Sequence, residues 1–182
     1  PGALDVILSF ASQQKGVQSW QSSVEKWNQT DEIGFRGRNH DFGDIKGALQ
    51  FEAAARILAE GGRVMPGQDG VSVRAADSLT LIFAAATNFR SWHDLTAKPR
   101  KLVAETLDRA VAKGYAALRR DHLADYQPLF RRLTIELRPQ RDTATRPTDE
   151  RVARFARGDD PALAALYVQY ARYLLLASSR SG

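Results

Sequence analysis

The stretch that most restricts the fold is "PALAALYVQYARYLLLASS", near the end of the 182-residue chain. Between Ala162 and Ala177 the only polar side chains other than tyrosine are Gln169 and Arg172. A helix that is apolar nearly all round is stable in water only where other elements cover it. It does not suit a membrane. No uncharged apolar run reaches the roughly 18 residues that a span needs, and Arg172 sits mid-helix. Its cover must therefore come from other protein elements.

The chain leading to that helix changes character once. Through about residue 92 the pattern has a period of two. "LDVILSF" reads as a buried strand entered from a Pro-Gly turn, an opening that looks internal rather than a natural start. "VQSWQSSVEKWNQ" is polar and has no clear register. In "ALQFEAAARIL", Leu49, Phe51, Ala53, Ala55 and Ile57 alternate with Gln50, Glu52, Ala54 and Arg56. The alternation predicts a half-buried strand in spite of the alanines. "EGG" and "PGQDG" are turns, and "VSVRA" and "LTLIFAAATNF" are further strands. Short strands separated by glycine turns suggest a sandwich.

From Pro99 the period is helical. Leu102, Val103, Thr106, Leu107, Ala110 and Val111 form one stripe, with Lys101, Glu105 and Arg109 at i,i+4 on another face and Gly114 as the stop. A second helix over about Tyr115–Tyr126 carries Leu118, His122 and Tyr126 on one side, and Pro128 is expected to close it. "RLTIELR", residues 132–138, alternates and reads as a returning strand. "PQRDTATRP" is a polar linker. Thr148 is the expected N-cap of the next helix, with Asp149 and Glu150 at its positive end and Gly158 as its stop. Asp160 and Pro161 then open the terminal helix.

Little complete chemistry is visible. The absence of cysteine excludes disulfides and thiolate chemistry. His40, His93 and His122 stand far apart and in no metal-ligand spacing, so no metal and no cofactor are expected. His40 lies in "RGRNHDFGD", read as a turn held by side-chain caps with a binding loop as the alternative. The carboxylate pairs Asp31–Glu32, Asp149–Glu150 and Asp159–Asp160 are adjacent in sequence, whereas glycoside chemistry needs two carboxyls facing each other across a bond. No GxSxG, SxxK or phosphate loop occurs. The formal charge is +5, and residues 119–157 hold ten arginines against six acids. Acids interleave with the arginines and no nucleic-acid-binding motif is present, so no nucleic-acid partner is expected. The bias toward arginine and alanine over lysine fits a GC-rich bacterial genome.

Three stretches in order, "GALQFEAAARILAEGGRV" leading to "ADSLTLIFAAATNF", "KGYAALRRDHLADYQPLFRRLTIEL" and "PTDERVARFARGDDPALAALYVQYARYLLLASSRSG", resemble glycoside hydrolase family 95, the α-L-fucosidase type. The resemblance covers nearly all of residues 45–182. It implies a mixed β and α fold: part of an antiparallel β-supersandwich (1–92), a helical linker with the strand at 132–138 (93–147), and the first helices of an (α/α)6 barrel (148–182). It also implies hydrolysis of terminal α-L-fucosyl or L-galactosyl residues with inversion, acting on a fucosylated oligosaccharide or plant cell-wall glycan. The remaining domains of a parent chain would be the partners, with no membrane partner, and a periplasmic or secreted location is implied although no signal peptide is visible. The family's catalytic residues would lie beyond Gly182, so none is assigned here and the fragment itself would be structural and inactive. Ser178, Ser179 and Arg180, at the end of the terminal helix, are the substrate-proximal candidates, with a simple helix stop as the plainer reading. "RSG" departs from the more usual R-P-G. The alternative to a glycosidase segment is a standalone carbohydrate-binding or interaction module of β-sandwich type.

Overall fold

A computed structural model describes residues 2–10, 18–23, 30–67, 70–138, 145–158 and 160–179. They divide into two compact units, Pro1–Leu118 and Arg119–Gly182. The fold is mixed: antiparallel strands first, helices after.

The first unit holds strands β1 (Leu4–Leu8), β2 (Gln18–Ser23), β3 (Thr30–Arg38), β4 (Gln50–Glu60), β5 (Arg63–Gly67), β6 (Gly70–Ala76) and β7 (Ser78–Thr87), followed by helix α1 (Pro99–Lys113). One sheet has the order β2-β3-β4-β7 and the other β1-β6-β5, with every pairing antiparallel. The sheets share a core in which Ile33, Ala55 and Ile57 meet Val71, Val73 and Ala76. Asp5 marks an irregularity in the β1–β6 register, where its carboxylate accepts the Ala75 N–H at 2.8 Å and Ala75 takes a positive φ. The tight "EGG" turn depends on glycine at Gly62, because φ is +67° and a Cβ there would lie 2.2 Å from the Arg74 carbonyl oxygen.

The alternation in "ALQFEAAARIL" does make a strand, but β4 is not half-buried. Residues 52–55 are buried without a break. Ala55 and Ile57 face the other sheet, while Ala54 packs with Ala84, Val103 and Leu107 beneath α1. The face that alternation assigns to water is thus roofed by a helix. Of the expected α1 stripe, Val103 and Leu107 are the buried members, whereas Leu102 stays 43% exposed. Pro99 opens α1 and Gly114 ends it, as the sequence predicts. The polar stretch without a clear register contains β2 over Gln18–Ser23; its residues 24–29 lie outside the described residues.

In the second unit α2 runs over Tyr115–Phe130, α3 over Thr148–Arg154 with a 3-10 turn at Phe155–Arg157, and α4 over Pro161–Ser178. Three expectations need correction. Pro128 does not close α2: the helix continues to Phe130, and the Arg131 N–H reaches the Gln127 carbonyl at 3.0 Å. Proline removes only its own donor, which leaves the later bonds of the last turn intact. Residues 132–138 form no strand. Their alternation lacks a partner ladder among the described residues, and Leu133 and Leu137 are about half exposed, at 49% and 46%. The N-cap of α3 is Pro147, with Thr148 already helical and no side-chain cap. Asp160 does cap α4, its carboxylate accepting the Leu163 N–H at 3.1 Å.

Candidate functional site

In the first unit the polar face of β4 builds a charged cleft against β3 and the start of α1. Antiparallel register places Arg36 directly opposite Glu52 and Glu32 directly opposite Arg56. The Arg56 guanidinium is fixed at both ends: Nε donates to Glu32 Oε2 at 2.6 Å, and Nη2 to Asp108 Oδ1 of α1 at 2.9 Å. This fork lets α1 lie over a charged residue, because each nitrogen used has an oxygen to meet. Glu52, four residues earlier on the same face, is 8% exposed. Burial pushes its carboxyl above the usual range, opposed by the nearby charges of Arg100 and Arg36.

An acid raised in the folded state favours folding only while it is protonated. Its ionised form is a cost at pH above the unfolded value and disappears on acidification. Glu52→Gln is therefore expected to unfold at an equal or higher denaturant concentration than the parent chain at pH 7, with the gap closing toward pH 4. Urea titrations at the two pH values check this, and a variant that loses stability equally at both would contradict it.

The second unit answers for the two polar residues of its apolar helix. Arg172 Nη1 donates to the Leu133 carbonyl at 2.7 Å and to Gln169 Oε1 at 2.6 Å, and Nη2 donates to the Phe130 carbonyl at 2.9 Å. The guanidinium also lies 4.9 Å from the Phe130 ring centroid. A cation thus satisfies carbonyls left open at the end of α2, where the helix dipole is negative. His122, Tyr126 and Phe130 stack at successive turns of α2, and Tyr126 meets Tyr173 of α4 edge-on at 5.7 Å. Arg172→Met is expected to destabilise this unit by about 2 kcal/mol through the lost charge-assisted bonds. Arg172→Lys should recover little, since an ammonium lacks the fork. Thermal unfolding of the three chains checks the order.

The sequence-derived candidates are not gathered into one place. Ser178 Oγ donates to the Leu174 carbonyl at 2.9 Å in its own helix, Ser179 is the C-cap residue, and Arg180 lies outside the described residues. His40 occupies the capped loop that the sequence predicts: Asn39 accepts the Leu49 N–H at 2.8 Å, and Asp41 takes Lys46 and the Gly47 N–H, each at 2.9 Å. His93 packs against Trp92, and His122 stacks on Tyr126. Among the described residues no group of acids and histidines could hold a metal ion. Glu32 and Asp160 of the carboxylate pairs are engaged by Arg56 and Arg151, and Asp149 and Glu150 stand in the first turn of α3. The cluster of Arg36, Glu52 and Arg100 went unnoticed in the sequence. The alternation of β4 places Glu52 and Arg56 on one face, but the register of β3 that sets Arg36 opposite Glu52 is not visible without the fold.

Residues 114–182 match the glycosyl hydrolase family 95 catalytic domain. Alpha-L-fucosidase 2 of Arabidopsis thaliana is 35% identical over 154 residues, which cover 79% of this chain and 18% of that protein. Probable alpha-fucosidase A of Aspergillus niger is 34% identical over 110 residues, 56% of this chain and 14% of that protein. The same-named protein of Aspergillus oryzae is 26% identical over 126 residues. The chain spans less than a fifth of the length of each of these relatives. Residues 114–182 thus match part of that catalytic domain, and the comparisons support a segment of a glycoside hydrolase family 95 protein.

Proposed function

We propose that this chain is the structural part of an inverting α-L-fucosidase-type exo-glycosidase, acting on terminal α-L-fucosyl or L-galactosyl residues of a glycan. The observation that carries the reading is the match of residues 114–182 to the family 95 catalytic domain, together with fucosidase relatives that extend into the first unit. In this reading the two sheets are part of a β-supersandwich, the region 93–147 is a linker, and α3 and α4 are the first helices of an (α/α)6 barrel. Inversion needs a general acid and an activated water on opposite faces of the sugar. The described acids support a scaffolding role instead: Glu32, Asp108 and Asp160 are held in ion pairs, and Glu52 lies under α1. In this reading the acid and the water-positioning groups come from the rest of the catalytic domain, of which residues 114–182 match a part. Ser178, Ser179 and Arg180 would stand at the rim of that site.

Hydrolysis of an aryl α-L-fucoside tests the reading in two forms of the protein. The parent protein should release fucose with inverted anomeric configuration, read by proton NMR, and the 182-residue chain should release none. Turnover by the 182-residue chain would put a complete site within it and overturn the structural assignment. Arg180→Ala in the parent protein should lower kcat/KM at unchanged stability; unaltered turnover would remove the rim role.

A further inference from the structure

Two adjoining cavities of about 500 and 350 Å³ lie in the first unit and share Arg36, Glu52 and Arg100 in their walls. Gln50, Arg38 and Lys98 complete the polar lining of the larger one. Glu52 is more than nine-tenths buried, yet among the described residues its carboxylate has no hydrogen bond and no ion pair. The charges of Arg36 and Arg100 reach it only through space. The surfaces beside it are apolar: Ala86 is its other cross-strand neighbour, and Val103 and Ala104 line the roof. Buried carboxylates are almost always hydrogen-bonded, and an exception calls for a partner such as a water, an ion or a ligand.

The missing group can be specified. It must donate to a carboxylate and accept from the guanidinium groups that line the same cavities, which a hydroxyl does in both directions. The walls also carry an excess of positive charge. Arg56 is neutralised by Glu32 and Asp108, and Arg38 is shared with Asp41 at 3.5 Å. Lys98 and Arg100 then face Glu52 alone among the lining acids of the larger cavity. A neutral polyol has no use for that excess, whereas a carboxylate does.

We propose that the cleft between β3, β4 and the start of α1 binds a sugar acid, its ring hydroxyls held by Glu52 and its carboxylate by Arg100 and Lys98. It gives the sheet-bearing unit a part in holding an acidic glycan.

Titration of the 182-residue chain with D-galacturonate, D-galactose and acetate, followed by calorimetry and by amide NMR shifts in β4 and α1, tests the assignment. Galacturonate should bind saturably. Galactose and acetate should each bind about tenfold more weakly or worse, because each lacks one of the two contacts. Arg100→Ala and Glu52→Gln should each weaken galacturonate by about tenfold or more without lowering the unfolding midpoint of the first unit. Raised salt should weaken binding further. Absence of saturable binding, or undiminished affinity in both variants, would overturn the proposal. Acetate binding as tightly as galacturonate would show a bare anion site and overturn the sugar assignment, and galactose binding as tightly would overturn the charge argument.

Discussion

Ile57→Ala is expected to be among the most damaging single changes in the first unit, lowering its unfolding free energy by about 4 kcal/mol. Ile57 has no exposed surface and sits on the central strand β4 among Ile33, Val71, Val73 and Ala76. Truncation removes three buried carbons and leaves a cavity between two sheets. The sheets cannot easily close over it, because β4 is held by β3 and β7 on either side and roofed by α1 on its other face. Ile57→Val should cost only about 1 kcal/mol, the loss of one methyl group. Urea titration gives the two values, and amide exchange in β4 localises the loss. A cost near 1 kcal/mol for the alanine variant would mean that the core relaxes around the gap.

The second large effect is expected at Arg151. Its guanidinium donates to both oxygens of Asp160, at 2.8 and 3.1 Å, with only 10% and 4% of the two side chains exposed. Hydrogen bonding to Asp160 holds Arg151 firmly in its charged form. Asp160 meanwhile caps α4 through the Leu163 N–H. Arg151→Ala removes the counter-charge and leaves that carboxylate buried. The midpoint of the second unit should fall by on the order of 10 °C or more. The double change Arg151→Met with Asp160→Asn should recover most of the loss, since asparagine still caps a helix and no charge is left buried. Calorimetry of the three chains decides: if the double variant is no better than the single one, the damage is not that of a stranded charge.

What could be read from the sequence followed from local pattern. Alternation identified β4 over its alanines, the flanking turns marked off β6 and β7, and Pro99, Gly114 and Asp160 marked helix ends because caps act within one turn. Patterns that need a distant partner were misread. "RLTIELR" alternates as well as "ALQFEAAARIL" does, yet only the second has strands beside it. The polar face of β4 looked solvated because nothing local shows that Asp108 and Glu32 would arrive to neutralise Arg56. Arg172 was conspicuous, but its partners are main-chain carbonyls 39 and 42 residues away, which carry no sequence signal. The family resemblance rested on three stretches, and the two more specific ones fall in residues 113–182, where the family 95 match lies. The cleft around Glu52 lay within the less specific first stretch and needed the register of β3 to appear.

The pairing of β1 with β6 has a consequence for synthesis on the ribosome. Residues 4–8 leave the tunnel well before their hydrogen-bonding partners, residues 71–76. At typical elongation rates the nascent "LDVIL" waits for several seconds with an unpaired, largely apolar edge. Such a segment is open to pairing with other nascent chains. Asp5 lies within it and is also the residue that holds the irregular β1–β6 junction through Ala75 and, at 3.7 Å, Arg74. One carboxylate can thus serve in turn as a solubilising charge during translation and as a register pin afterwards.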